Sequence, residues 1–379
     1  MSWLKKKLFR KKISIAVIGV GNAGCRIGDK LIYSLRESRI TVKSLAVNHT
    51  NNFSPKISNF SEHYWFGSKD DSSSDYEFDS AYKTFTQNEI HLRDQIDKVL
   101  FYKKQDRKDE ENPALHLIVG SGGGTGSAGA MKVSKIIAEV TGTAPTVIFV
   151  IPEKNEPSLV QYNSARALYY LGFDFQGPNC PILLFDNDKL LNLFQENTVE
   201  EALDKSNVFL AESLTTTILA ALQESSHEEF NADLSDFFRT FTEEARGLGV
   251  IVSLDKEFES LDKAQSIRFS DLFFNEIDES SSLTADVTRA KLGFLTISSP
   301  TTYQSTFETR KIVKKFEGGD IKASLNSIDE PILTIRGVLT GIHPDYVQRF
   351  WEVLEKGRDS RKTVLETEEK LRQAHLEID

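Results

Sequence analysis

Ten residues constrain this chain more than any other stretch. Gly120-Ser121-Gly122-Gly123-Gly124-Thr125-Gly126-Ser127-Ala128-Gly129 follows the apolar run Leu115–Val119 directly, and a helical pattern begins inside it. Glycines carry an entropic cost and small residues give packing little, so a bound ligand is the expected reason for so many in succession. Successive unhindered N–H groups, with the Thr125 and Ser127 hydroxyls, form an anion cradle that the dipole of the following helix reinforces. No Lys follows the glycines, so this is not a Walker A loop. Its position between a buried strand and a helix does not suit a flexible linker.

A second glycine turn lies near the start. Gly19-Val20-Gly21-Asn22-Ala23-Gly24 follows the run Ile13–Ile18 and opens a helix, which satisfies the dinucleotide fingerprint taken alone. That fingerprint also needs an acid about twenty residues on, at the end of the second strand, to hold a ribose hydroxyl. Here the second strand ends in Val47-Asn48, so a dinucleotide-dependent oxidoreductase is disfavoured.

Barely alternating apolar runs at Ile13–Ile18, Thr41–Val47, Leu115–Val119, Thr146–Ile151 and Ile182–Phe185 read as strands buried on both faces. Between them the pattern predicts helices over about 24–37, 81–104, 126–140 and 159–171. This alternation implies a parallel sheet covered on both sides, with ligands at the C-terminal ends of its strands. Thr198 to Leu222 lacks Pro and Gly and predicts a long connecting helix. Beyond it a helix over 233–245, strands at 249–254, 292–297, 320–325 and 332–339 and a helix near 302–316 give a second α/β domain. From Pro344 the chain is helical, with Val347, Phe350, Trp351 and Leu354 on one face. The organisation expected is a basic leader over 1–12, a nucleotide-binding domain over 13–197, the helix over 198–222, a second domain over 223–343 and a C-terminal segment over 344–379.

A length of 379 residues suits two or three domains, and an apolar fraction of 39% is too high for a chain disordered throughout. No apolar stretch is long enough to span a membrane, and two cysteines cannot make a disulfide framework, so a cytoplasmic protein is expected. A formal charge of −10 argues against nucleic acid as partner. The leader is the exception: it carries six Lys and Arg and no acid, so removing those six charges leaves −16 on the remainder. With Trp3, Leu4, Leu8 and Phe9 it could meet an anionic membrane surface, or it is a solvated leader; both readings are open.

The run Gly-Gly-Gly-Thr-Gly-Ser is the signature of the tubulin/FtsZ superfamily, and Gly21, Asn22, Ala23, Gly24 and Cys25 resemble its first phosphate loop. Ile151-Pro152, Glu156, Asn163-Ser164-Ala165-Arg166, Phe185-Asp186-Asn187-Asp188 and Val199-Glu200-Glu201 with Asn207 look most like the archaeal CetZ branch. The resemblance covers about 13–245 and, beyond that, the layout of the second domain. It implies an α/β protein in which a parallel-sheet GTP-binding domain joins a smaller α/β domain through a long central helix. Subunits would polymerise head to tail, hydrolyse GTP and serve cell shape or division, with GTP or GDP and Mg2+ as cofactors. A GTP-bound filament scaffold with little hydrolysis is the alternative within the fold.

Residue by residue, the resemblance gives the phosphates to Gly21–Cys25, Asn48, Gly122, Gly123, Gly124, Thr125 and Gly126, and the ribose to Glu156. Asn163, Asn187, Leu203 and Asn207 would surround the base. An Asn amide both donates and accepts, and guanine's N1, N2 and O6 suit it where adenine would leave buried groups unpaired. Asn231, Asp233 and Asp236 resemble the Asn-x-Asp-x-x-Asp loop that acts on the next subunit's nucleotide; in isolation Asp233 and Asp236 also read as a helix start. Leu203 stands where the superfamily often stacks an aromatic on guanine, and Thr50 where FtsZ often has Asp. The loop over 67–75 carries three aspartates instead of the FtsZ glycines, and faces either the γ-phosphate or solvent. No apolar FtsZ-type C-terminal peptide is evident, so adaptor partners are unassigned and a standard division-ring role is not supported.

Overall fold

Valine, isoleucine and leucine runs with no polar face cannot be satisfied at a surface, and here they stack into one sheet with helices on both sides. In the computed structural model the described residues are 13–49, 57–67, 78–101, 115–174, 177–192, 194, 197–222, 230, 232–300, 303–316 and 318–376. The basic leader, Thr50, Asn231 and most of the acidic loop, 68–75, lie outside them. Strands β1 (Ser14–Val20), β2 (Thr41–Asn48), β3 (Glu62–Trp65), β4 (Leu115–Ser121), β5 (Thr146–Ile151) and β6 (Pro181–Asp186) are all parallel. They are followed by β7 (Gly247–Glu257), β8 (Leu292–Pro300), β9 (Asp320–Ile328) and β10 (Ile332–Ile342), in the order β3-β2-β1-β4-β5-β6-β7-β10-β8-β9. β6 and β7 pair in parallel over only Pro181–Leu183 and Gly247–Gly249, while β10 runs antiparallel to β7 and β8. The protein is thus an α/β fold with a parallel half and a smaller mixed half.

One face of the sheet is covered by α1 (Gly21–Glu37), α6 (Asn187–Asn192), the long helix α7 (Val199–Ala221) and α8 (Leu234–Arg239). The other carries α2 (Phe78–Gln87), α3 (Glu89–Leu100), α4 (Gly124–Thr141), α5 (Ser158–Gly172), α10 (Phe269–Ser280), α11 (Tyr303–Lys314) and the C-terminal helix α12 (Gln348–Leu376). The short α9 spans Leu261–Ser266. Helix α7 starts on a capping box between Thr198 and Glu201 and buries Leu210, Leu214 and Ile218. It packs against α1 and also against β7, β8 and β10, so it ties the two halves together.

Three expectations need correcting. The helix over 81–104 is two helices, parted at Asn88, whose φ of −102° and ψ of 11° leave the helical range and whose side-chain amide donates to the Thr84 carbonyl at 3.0 Å. The helix over 233–245 ends at Arg239: the Thr240 and Thr242 hydroxyls take the carbonyls of Phe237 and Arg239, and only a 3₁₀ turn, Glu243–Ala245, follows. Trp351 is 44% exposed, its expected place on the apolar face being taken by the buried Val353. No helix among the described residues is long and apolar enough to cross a membrane.

Burial of His116 on β4 pushes its imidazole down to about 4, from 6.5. Between those values the unfolded chain binds a proton that the folded chain refuses, so stability falls as pH falls from 6.5 toward 4, by about 3 kcal/mol in all. Thermal midpoints across that range should drop less in His116→Gln than in the parent; equal drops would assign the acid sensitivity to other groups.

Candidate nucleotide-binding site

Strand β1 is followed in the sheet by β2 on one side and β4 on the other, which makes the gap between the ends of β1 and β4 the topological switch point. Both glycine loops emerge there. Gly21 has φ +71°, and a Cβ on it would sit 2.8 Å from the Gly126 nitrogen, so the two loops touch main chain to main chain. A Cβ on Gly24 would lie 2.2 Å from the Val119 carbonyl oxygen, which lets α1 begin hard against β4. Asn22 and Ala23 are exposed in the first turn of α1. Asn48, 3% exposed at the end of β2, donates from Nδ2 to Asn22 Oδ1 at 2.8 Å and so fixes the first loop. Where a dinucleotide fold has an acid for the ribose, this chain has an amide that braces the first glycine loop. Cys25 is fully buried, its thiol pushed up by burial, and its Sγ lies 3.3 Å from the Gly19 carbonyl oxygen; only its main chain can serve the site.

The second loop corrects the expectation that a ligand accounts for its glycines. A Cβ at Gly122 would meet Ser164 Oγ at 2.1 Å, one at Gly126 the Ser121 carbonyl oxygen at 2.9 Å, and one at Gly129 the Val20 side chain at 2.3 Å. Close backbone packing therefore requires most of them. An added Cβ at Gly123, by contrast, has nothing within 4 Å. It is the N-cap of α4, which begins at Gly124 and Thr125; Ser127 Oγ turns back to the Gly123 carbonyl at 2.7 Å. Neither α1 nor α4 has a side-chain cap or an acid in its first turn. Two uncapped helix starts thus converge on one open space, with several N–H groups lacking helical partners and both dipoles positive there. An anionic group such as a nucleotide phosphate fits.

The other residues expected at the site lie at the ends of β5 and β6 and on α5 and α7. Glu156, half-buried in the loop after β5, accepts from the Glu153 N–H at 3.0 Å. Asn163 is fully buried on α5, Asn187 opens α6, and Asn207 is half-buried on α7, where Leu203 is 37% exposed. Sequence reasoning missed Arg349 on α12. It is buried against Asp186 and Asp188, at 3.3 and 2.9 Å, on either side of Asn187 in sequence. Burial raises the Asp186 carboxyl above the usual range, outweighing the opposing pull of Arg349. No local pattern joins Arg349 to residues more than 150 positions earlier.

Asp233 and Asp236 sit elsewhere. Asp233 caps α8, accepting at Oδ1 from the N–H groups of Ser235 and Asp236 at 2.7 and 3.1 Å, and Asp236 Oδ2 accepts from the Asp233 N–H at 3.1 Å. Phe237 anchors this helix in the core against Phe241 and Phe294. The Phe241 carbonyl accepts from Thr146 Oγ1 at 3.0 Å, at the start of β5, whereas the glycine loops lie at strand ends. A six-residue strand spans roughly 20 Å, so the acidic turn and the cradle occupy opposite edges of the sheet.

Residues 14–195 match the profile of the tubulin/FtsZ family, GTPase domain. No curated protein sequence matches the chain. Among solved structures, a GTPγS-bound protofilament of CetZ2 from Haloferax volcanii is similar with a TM-score of 0.76 at 17% identity, over 93% of this chain and 99% of that one. The GDP-bound monomer of CetZ1 from the same organism gives 0.71 at 17% identity, over 92% and 100%. A GTPγS-form protofilament of TubZ from Bacillus thuringiensis serovar israelensis gives 0.71 at 15% identity, over 97% and 96%. At these identities the likeness is one of fold.

Proposed function

We propose, from the membership of residues 14–195 in the tubulin/FtsZ family of GTPase domains, that this chain is a cytoskeletal GTPase that polymerises head to tail and hydrolyses GTP where two subunits meet. The observation that carries this reading is the separation of two half-sites. An anion cradle with an open Gly123 lies at one edge of the sheet, and the carboxylates of Asp233 and Asp236 lie at the other. Within one chain they cannot meet; stacking subunits in one direction brings them together, and a contact of this heterologous kind generates a filament. That similar folds are seen as protofilaments of CetZ2 and TubZ supports it.

In this scheme Gly21–Cys25 and Gly122–Gly126 hold the phosphates through main-chain N–H groups, with Asn48 bracing the first loop and Thr125 adding a hydroxyl. Glu156 takes the ribose, and Asn163, Asn187 and Asn207 the base, with Leu203 covering it in place of an aromatic. Asp233, Asp236 and Asn231 orient and polarise the attacking water. Magnesium would come with the triphosphate: among the described residues no three His, Cys, Asp or Glu side chains converge, and Mg2+ on a nucleotide keeps most of its water. We take 13–197 as the GTP-binding domain, 198–222 as the connecting helix, 223–343 as the second domain and 344–379 as the C-terminal segment.

A static GTP-bound scaffold is favoured by one observation, that both carboxylates already have structural work as a helix cap. Phosphate release recorded with light scattering over a range of protein concentrations separates the two. A rate per subunit that switches on with scattering is the expected result; scattering without release would establish the scaffold.

A further inference from the structure

The loop joining β5 to α5 is held by its main chain in an unusual way. The Pro152 carbonyl accepts from Arg349 Nη2 at 2.5 Å, the Glu153 carbonyl from Gln161 Nε2, and the Lys154 carbonyl from Lys356 Nζ at 2.5 Å. The Lys154 N–H donates to both carboxylate oxygens of Asp188, at 3.1 and 3.0 Å, and the Lys154 ammonium pairs with Glu352 at 2.9 Å. Three consecutive carbonyls are thus each held by a long side chain, and two of those side chains come from α12. The last residue in this chain of contacts is Glu156, whose Oε1 accepts from the Glu153 N–H.

Helix α12 is well placed to do this. Val347, Phe350 and Val353 are buried, Phe350 meets Phe173 edge to face at 5.2 Å, and a Cβ on Gly357 would sit 2.6 Å from Ala165 Cβ, so α12 lies tightly along α5. Arg349 then reaches the site edge of the sheet 5% exposed, its guanidinium shared among Asp186, Asp188, Glu352 and the Pro152 carbonyl. A planar fork with five donors can serve several oxygens at once, which an ammonium cannot. Remove it, and two acids flanking Asn187 lose their counter-charge while the loop loses its first anchor.

We propose that Arg349 is a positioning residue for the sugar end of the nucleotide site. With Lys356 it fixes residues 152–156 so that Glu156 faces the ribose hydroxyls, and the C-terminal helix thereby sets how strongly the protein selects the nucleotide's sugar. The proposal rests on the GTP reading and on the ribose role given to Glu156. Dissociation constants of the full chain for GTP and for 2′,3′-dideoxy-GTP test it. The parent should prefer GTP by about tenfold or more, as a site built around a hydroxyl rejects the analogue lacking it. Arg349→Lys keeps a counter-charge beside Asp186 and Asp188 but not the fork, and Lys356→Met keeps the stem of a half-buried side chain and removes its ammonium. Both should bring the GTP preference toward unity while binding the dideoxy analogue within about twofold of the parent. Loss of affinity for both nucleotides in equal measure, or an unchanged preference, would make Arg349 merely structural and overturn the proposal. A parent that binds neither nucleotide overturns the GTP reading itself, and one that binds both equally removes the ribose role of Glu156 and this proposal with it.

Discussion

Asp236→Asn should lower GTP turnover by about a hundredfold or more, the scale on which a positioned acid–base group acts, while leaving GTP affinity and filament formation near the parent's. The choice of Asn follows from the geometry. Asp236 accepts the Asp233 N–H through Oδ2, and Asp233 caps the same helix turn, so alanine at either place would cost about 1 kcal/mol of helix start as well as a carboxylate. An Asn keeps an acceptor oxygen for the Asp233 N–H and discards only the charge. Phe237, buried next door, holds the helix in place in either case. Mixing parent and variant subunits sharpens the result. If the carboxylate acts on the neighbour's nucleotide, GTP loaded beforehand on the variant is hydrolysed once parent subunits stack against it, whereas action on a subunit's own nucleotide would leave that GTP intact. Turnover at the parent's rate in pure Asp236→Asn filaments would leave the two acids as a helix cap alone and overturn their catalytic role.

The parallel half of the fold was legible because its strands are buried on both faces and therefore lack the alternation that makes half-buried strands ambiguous. Edge strand β3 was not: Glu62–Trp65 has two half-exposed aromatics and, among the described residues, pairs only with β2, so nothing in it reads as core. Within the site, the position of the cradle followed from glycines between a strand and a helix, but the cause of each glycine did not. Whether a Cβ meets Ser164 Oγ or empty space is a tertiary fact, set by how α5 lies over the loop. The Asn48–Asn22 bond explains in contacts why an amide ends β2 where a dinucleotide fold has an acid. Arg349 lay beyond sequence reasoning for a different reason. An arginine in an amphipathic helix reads as solvated surface, and only the packing of α12 along α5 turns it inward.

That division among the glycines yields the second large effect. Gly24→Ala places a Cβ 2.2 Å from a main-chain oxygen in the centre of the sheet, where neither β4 nor α1 can move away, and it should prevent folding. Gly123→Ala should do the opposite to the empty protein. Its φ of −65° and ψ of 159° suit alanine, nothing lies within 4 Å of the new methyl group, and the thermal midpoint without nucleotide should stay within a degree or two of the parent's or rise slightly. If the open space is where phosphate rests on the two uncapped helix starts, the methyl group occupies part of it and holds the ligand away from the N–H groups. Loss of one or two charge-assisted hydrogen bonds, at about 1.5–3 kcal/mol each, corresponds to a fall in GTP affinity of about tenfold or more. Guanosine, which has no phosphate, should bind Gly123→Ala and parent alike. Unchanged GTP binding in a normally folded Gly123→Ala protein would move the phosphates away from this space, and with them the whole orientation of the nucleotide across the switch point.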